Sequence, residues 1–308
     1  LPGLSFFCPP DDCWRMTPAL TLKGVTKRLG GFELGPLNLE VPRGSVTALI
    51  GPNGAGKTTT LDLALGLGAP DAGQIGVVGL SMPADEVAIK RKVAYVNPDL
   101  NYQPWGRVGR ALNFLRKFYP DWNDARCEQL LADFGLERGQ KIGALSFGAR
   151  IKLSLVAAFS RDAELLLLDE PTTGLDVNAK RTLFGLILDF VRRDDRAVVI
   201  SSHQLADLER VADHVAIIDK GRLVLFERMD RLVARFIQID ARLTTGGALS
   251  RLDGVKALAR DGERLRLLLD LGITSREQLA AHGLEILSEA PLTLEEIFLG
   301  LVAPRLAP

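Results

Sequence analysis

The chain lacks net charge, has little sulfur and contains no long apolar run. Lys and Arg total 38 and Asp and Glu total 38 over 308 residues, so no overall field draws the protein toward nucleic acid, and nucleic acid is not an expected partner. Cysteine is limited to Cys8, Cys13 and Cys127. An odd count in a chain of this size gives no disulfide framework and fits a reducing cytosol. With no His or further Cys beside Cys8 and Cys13, no metal site is expected there. No stretch approaches the roughly 18 uninterrupted apolar residues of a membrane span. The runs ELLLLDEP and AVVISSH have instead the length of buried parallel strands. Residues 1–16 have no regular period and no basic region ahead of an apolar core, so they read as a disordered or artefactual leader, with Met16 as the expected start.

What is present is a globular composition, 47% hydrophobic, enough for one large domain and a smaller one. PALTLKGVTKRL and GFELGPLNLEVPRG alternate apolar and polar residues about a glycine pair, as two antiparallel strands do. SVTALI enters a glycine-rich loop, GPNGAGKTTT, and TTTLDLALGL continues with helical spacing. From about residue 85 to 158 the pattern turns helical, with Ala111, Leu115 and Phe118 on one face and a glycine stop after DARCEQLLADF. The short runs ELLLLD, AVVISS, HVAIID and RLVLFE, separated by helical segments or tight turns, indicate a sheet with a parallel core and helices on its faces. The register changes around Arg231 to Gln238, and QIDARL, VKALARDGERLRLLLDL and TSREQLAAHGLEILSEA form a small α/β unit. No fixed-period repeat or low-complexity tract occurs, which excludes solenoids and coiled coils.

The glycine loop matches a phosphate-binding pattern at Gly51, Gly56, Lys57 and Thr58, with Asn53, Gly54, Ala55 and Thr59 completing the turn. Glycines let backbone N–H groups close around a phosphate, the lysine reaches the β and γ oxygens, and the Thr58 hydroxyl suits Mg²⁺. Further on, LLLLDEP delivers Asp169 at the end of an apolar strand, where parallel sheets bind ligands. Asp169 is therefore the second expected metal residue. Glu170 follows it, placed to polarise a water for in-line attack.

Between these motifs lies LSFGARIKLSLVAAF, which opens a helix and resembles the signature sequence of the ATP-binding-cassette (ABC) ATPases, Leu-Ser-Gly-Gly-Gln. Leu145, Ser146 and Gly148 match it, whereas Phe147 and Ala149 depart from it. TTGLD resembles the family's D-loop, with Asp176 facing a neighbouring subunit, and VVISSH resembles its switch strand, with His203 near the γ-phosphate. The resemblance covers about residues 17–230. It implies an α/β fold: a P-loop NTPase core with a mixed sheet, an antiparallel β subdomain and a helical insertion over about 85–158, followed by a small C-terminal α/β subdomain over 234–308.

The resemblance further implies ATP and Mg²⁺ as cofactors. Two such domains pair head to tail, so that Ser146 and Gly148 of one meet the ATP held by the other. Glu170, His203 and Lys57 are the catalytic residues it implies. The remaining partner is an integral membrane transporter subunit, which puts this chain in the cytoplasm, peripheral on the inner face of the cell membrane. The stretch FYPDWN, the opening FELGPLNLEV and the ending TLEEIFLGLV resemble subunits of exporters. A soluble non-transport ATPase and a weakly hydrolysing regulatory cassette are the alternatives.

Two departures from the family stand out. Leu29 occupies the place of an adenine-stacking tyrosine, and Phe32 either takes over the stacking or packs in the core. Pro98 stands where a glutamine usually touches Mg²⁺ and the attacking water, leaving Asp99, Asn97 or, if the loop folds back, Gln103 to fill the space. In the aromatic stretch that follows, Phe114 and Phe118 are expected in the core and Tyr102 and Trp105 at an interface.

Overall fold

The computed structural model describes residues 17–193, 195–244 and 252–302; the leader expected over 1–16, with Cys8 and Cys13, lies outside them. The first hairpin pairs β1 (Leu20–Leu29) with β2 (Phe32–Val41), Leu29 opposite Phe32. Next comes β3 (Ser45–Ile50), buried at every position because it runs centrally between parallel neighbours. It feeds the phosphate-type loop and α1 (Lys57–Leu65). The strands β4 (Ala72–Val77) and β5 (Leu80–Met82) return beside β1 and complete a four-stranded antiparallel sheet, β2-β1-β4-β5.

After α2 (Glu86–Lys92) the chain enters β6 (Val93–Val96). This strand belongs to the main sheet, so the segment read as helical from about residue 85 is interrupted before its helices α3 (Val108–Arg116), α4 (Asp124–Asp133) and α5 (Phe147–Phe159). The remaining core elements are β7 (Leu165–Leu168), α6 (Val177–Val191), β8 (Ala197–Ser201), α7 (Leu205–Leu208), β9 (His214–Asp219) and β10 (Arg222–Arg228). They build a six-stranded sheet, β10-β9-β3-β8-β7-β6, parallel except for the edge strand β10. The C-terminal ends of β3, β7 and β8 therefore open on one side, where such sheets bind ligands.

A third sheet follows α8 (Met229–Arg235): β11 (Phe236–Leu243), β12 (Val255–Asp261), β13 (Arg264–Asp270), α9 (Arg276–Ala281), β14 (Leu284–Pro291) and α10 (Leu294–Val302). Its order is β12-β13-β11-β14, antiparallel throughout. Arg235 closes a bidentate ion pair on Asp270, both contacts 2.7 Å, and so fixes α8 to β13. One face of the sheet packs Leu267, Leu269, Leu279 and Leu284 into a cluster of their own. The other carries Leu268 into the main core together with Leu294 and Ile297 of α10. Burying those two α10 side chains contributes about 1.5–3 kcal/mol each, which ties α10 to the main core. Among the described residues no helix is long and apolar enough to cross a membrane.

Candidate active site

The loop between β3 and α1 surrounds an open cavity of about 460 Å³ lined by Asn53, Gly54, Gly56, Lys57, Thr58 and Thr59 on one side and by Phe32, Asp169 and Glu170 on the others. Gly56 caps α1 with φ 106°, a left-handed conformation that glycine adopts without strain. A Cβ there would meet Leu34 Cδ1 at 2.5 Å and Phe32 Cζ at 3.0 Å, so the ring of Phe32 lies directly against the loop. Ala55 is buried under it. The first N–H groups of α1 have no partner within the helix and form the positive end that an anion would occupy.

Lys57 is buried at 7% exposure, and its Nζ donates to the carbonyl oxygens of Gly51 (2.8 Å) and Pro52 (3.2 Å). Burial holds its ammonium below the ordinary lysine range, against the pull of the Glu170 and Asp169 carboxylates. The side chain thus lies folded along its own loop, within reach of a phosphate that would replace the two carbonyls as its partner.

Thr58 Oγ1 donates to Asp169 Oδ2 at 2.6 Å, joining α1 to the end of β7. The other Asp169 oxygen accepts from Ser201 Oγ, a fully buried hydroxyl at the end of β8. Ser201 Oγ in turn accepts the Glu170 N–H at 3.0 Å. Glu170 has φ 48°, a left-handed conformation uncommon for a non-glycine residue. The bend turns its carboxylate across to β8, where Oε2 meets His203 Nδ1 at 2.7 Å. Lys57, Thr58, Asp169, Glu170 and His203 are therefore brought together, and Ser201 is the residue that sequence reading missed. Its signal was the doubled serine of VVISSH, read only for the histidine.

The signature residues stand apart from this cavity. Ser146 is exposed and caps α5 by accepting the Ala149 N–H at 3.2 Å. At Gly148 a Cβ would lie 2.1 Å from the Gly174 carbonyl oxygen, so this glycine lets α5 approach the TTGLD turn within the same chain. Phe147, 40% exposed, rests its ring over Gly174. Asp176 is engaged locally: one oxygen caps α6 through the Ala179 N–H (2.9 Å), and the other pairs with Lys152 of α5 at 2.8 Å.

The Pro98 segment resolves one of the open substitutions. Asn97 is 7% exposed; its Nδ2 donates to Tyr95 Oη (2.7 Å) and its Oδ1 accepts the Asp99 N–H (2.7 Å). Tyr95 Oη donates onward to Asp62 of α1 at 2.9 Å. Burial raises the Asp62 carboxyl and the Tyr95 phenol above their usual ranges. The Asn97 amide is thus committed to the turn in this structure, whereas the exposed Asp99 makes no such side-chain contact.

The aromatic expectation is corrected. Phe114 and Phe118 are 40% and 55% exposed, because α3 buries Val108, Ala111 and Leu112 and leaves Phe114 on its flank, while Phe118 lies beyond the helix. Tyr102 and Trp105, expected at an interface, are partly buried against the main core. The four rings form a continuous series with centroid separations of 6.0, 5.2 and 5.0 Å.

Comparison with known proteins agrees with this architecture. A family model described as ABC transporter matches residues 34–173. The chain is 31% identical to the Nod factor export ATP-binding protein I of Ralstonia nicotianae over 95% of its own length and 96% of the relative. It is also 31% identical to the daunorubicin resistance ATP-binding protein DrrA3 of Streptomyces coeruleorubidus, over 91% and 92% of the two chains. A solved structure described as the ATP binding subunit of an ABC transporter matches with a TM-score of 0.64 at 27% identity, covering 70% of this chain and 92% of its own. The chain belongs to the ABC transporter family, as an ATP-binding subunit.

Proposed function

We propose that ATP binds in the cavity between the 51–58 loop and the Asp169–Glu170 turn, and that its hydrolysis there drives a separate membrane-spanning partner in export. The observation that carries this reading is the convergence of Lys57, the Thr58–Asp169 pair and the Glu170–His203 pair on one open pocket. Lys57 would exchange its two carbonyl partners for phosphate oxygens. The α1 N–H groups, with Asn53, Gly54 and Thr59 beside them, would cradle the β-phosphate. Phe32, which lines the same pocket, is the stacking surface available to the base.

The Thr58 hydroxyl and Asp169 carboxylate fit Mg²⁺, which favours a few oxygen ligands plus substrate phosphates over an all-protein cage. When bound, the ion would neutralise charge on the β and γ oxygens. Glu170 would take the proton of the attacking water, with His203 fixing its carboxylate and Ser201 fixing its backbone.

The pocket is open, and the exposed Ser146 at the start of α5 lies outside it. Both features support a second ABC ATPase subunit, identical or related, that would present its own Ser146–Gly148 turn to the nucleotide. We assign residues 17–230 to the ATPase domain and 234–308 to the C-terminal subdomain. The exposed Phe114 and Phe118 would face the membrane partner, and the chain would lie on the inner face of the cell membrane. End-to-end similarity to relatives named for Nod factor export and daunorubicin resistance supports export.

Purification of the tagged chain from solubilised membranes tests this reading. An integral membrane protein of several spans should accompany it at fixed stoichiometry. Recovery with ribosomes or nucleic acid instead would contradict it.

A further inference from the structure

The segment that carries His203 continues into α7, a helix of four residues. A helix this short cannot hold its own position, because nucleating a single turn is unfavourable. Its neighbours supply the restraint. From α6, Lys180 Nζ reaches Gln204 Oε1 and Asp207 Oδ2, the latter at 3.1 Å. From the other side α10 packs on α7, and Leu205 and Leu208 are buried in the same cluster as Leu294 and Ile297.

One polar contact registers the two helices. Glu209, at the end of α7, accepts the Leu294 N–H on its Oε2 at 3.2 Å. That N–H is one of the donors left over at the start of α10, and a carboxylate at this positive end is favourable. The adjacent Thr293 and Glu296 satisfy each other: Thr293 N–H donates to Glu296 Oε2 at 2.8 Å and Glu296 N–H to Thr293 Oγ1 at 3.3 Å. The helix therefore begins at a defined residue. Behind it, a Cβ at Gly300 would lie 2.3 Å from Leu268 Cδ1, so α10 sits flush on β13. That strand is fixed to α8 by the Arg235–Asp270 pair. A shift of the C-terminal sheet would thus be carried through α10 to α7 and to the backbone of His203.

We infer that Glu209, Leu294 and Ile297 are positioning residues through which the C-terminal unit holds the His203 segment against Glu170. This rests on the assignment of Glu170 and His203 to hydrolysis. The C-terminal unit is then a brace of the hydrolytic switch, and a partner or ligand that moves it changes turnover without touching the nucleotide.

The test uses the full chain. Glu209→Ala should lower kcat for ATP about tenfold while leaving KM and the affinity for a fluorescent ATP analogue within about twofold. Glu209→Gln, which keeps an acceptor for the Leu294 N–H, should restore most of the rate. Amide hydrogen exchange over residues 203–209 should quicken in Glu209→Ala and not in Glu209→Gln. Ile297→Val, a conservative trimming of the same contact, should change kcat in the same direction with KM unmoved. A wild-type kcat in Glu209→Ala would overturn the inference, as would a loss shared equally by Glu209→Gln. Glu170→Gln serves as the reference. If it is inactive while Glu209→Ala is fully active, the brace alone fails; if it hydrolyses normally, the hydrolytic assignment and the brace fail together.

Discussion

Glu170 Oε2 and His203 Nδ1 lie 2.7 Å apart, although the two residues follow different strands, β7 and β8. The contact depends on the left-handed turn at Glu170 and on Ser201, which binds both Asp169 and the Glu170 N–H. Once the histidine is removed, the carboxylate keeps its backbone anchor and loses its side-chain partner. We expect His203→Ala to retain nucleotide binding and to lose about a hundredfold or more in kcat. A steady-state assay beside an equilibrium binding assay checks both halves.

The proposed role of Lys57 is at the phosphates. Replacing its charge-assisted contacts should weaken ATP binding by about 10- to 100-fold in Lys57→Ala. The proton balance gives a second check. In the free protein burial holds the Lys57 pKa below 10.5, and phosphate oxygens beside the ammonium raise it. Nucleotide binding in the alkaline window between those values therefore takes up a proton, and affinity falls as pH rises through the free-state pKa. Calorimetry in buffers of different ionisation enthalpy measures the uptake, which should vanish in Lys57→Ala.

Asn97 is predicted to hold the turn at Pro98 rather than the metal. Removing its buried amide should destabilise the fold by about 1–3 kcal/mol in urea unfolding. The Mg²⁺ concentration that gives half-maximal ATPase should be unchanged in the same variant. A shift of the Mg²⁺ requirement without loss of stability would reverse the assignment.

Phe114 and Phe118 are exposed and contribute little to the core. Changing both to Gln should alter stability by no more than about 0.5 kcal/mol per site. Recovery of the membrane partner with the variant should nevertheless fall sharply in a pull-down from solubilised membranes. Undiminished recovery would place the partner elsewhere.

The strand-loop-helix unit was legible because its signals are local: a buried strand, glycines at the turn and a helix opening on Lys57 all lie within one stretch of chain. The order of the motifs fixed the likeness to the family for the same reason. What sequence could not show is what depends on non-local packing. Helical spacing aligned Phe118 with Ala111, but α3 ends at Arg116 and the ring falls outside it. The local role of Asp176, whose oxygens accept from the Ala179 N–H and pair with Lys152, is likewise set by the approach of α5 to α6. Glu209 and Leu294 are 85 residues apart, and no local pattern marks their contact.

The central claim is that Glu170 performs the hydrolytic step at a site that binds ATP independently of it. Single-turnover hydrolysis by purified Glu170→Gln, measured together with ATP binding and oligomeric state, tests this most directly. ATP binding equal to wild type, a turnover close to zero and an ATP-stabilised dimer are expected. Hydrolysis at the wild-type rate would contradict it.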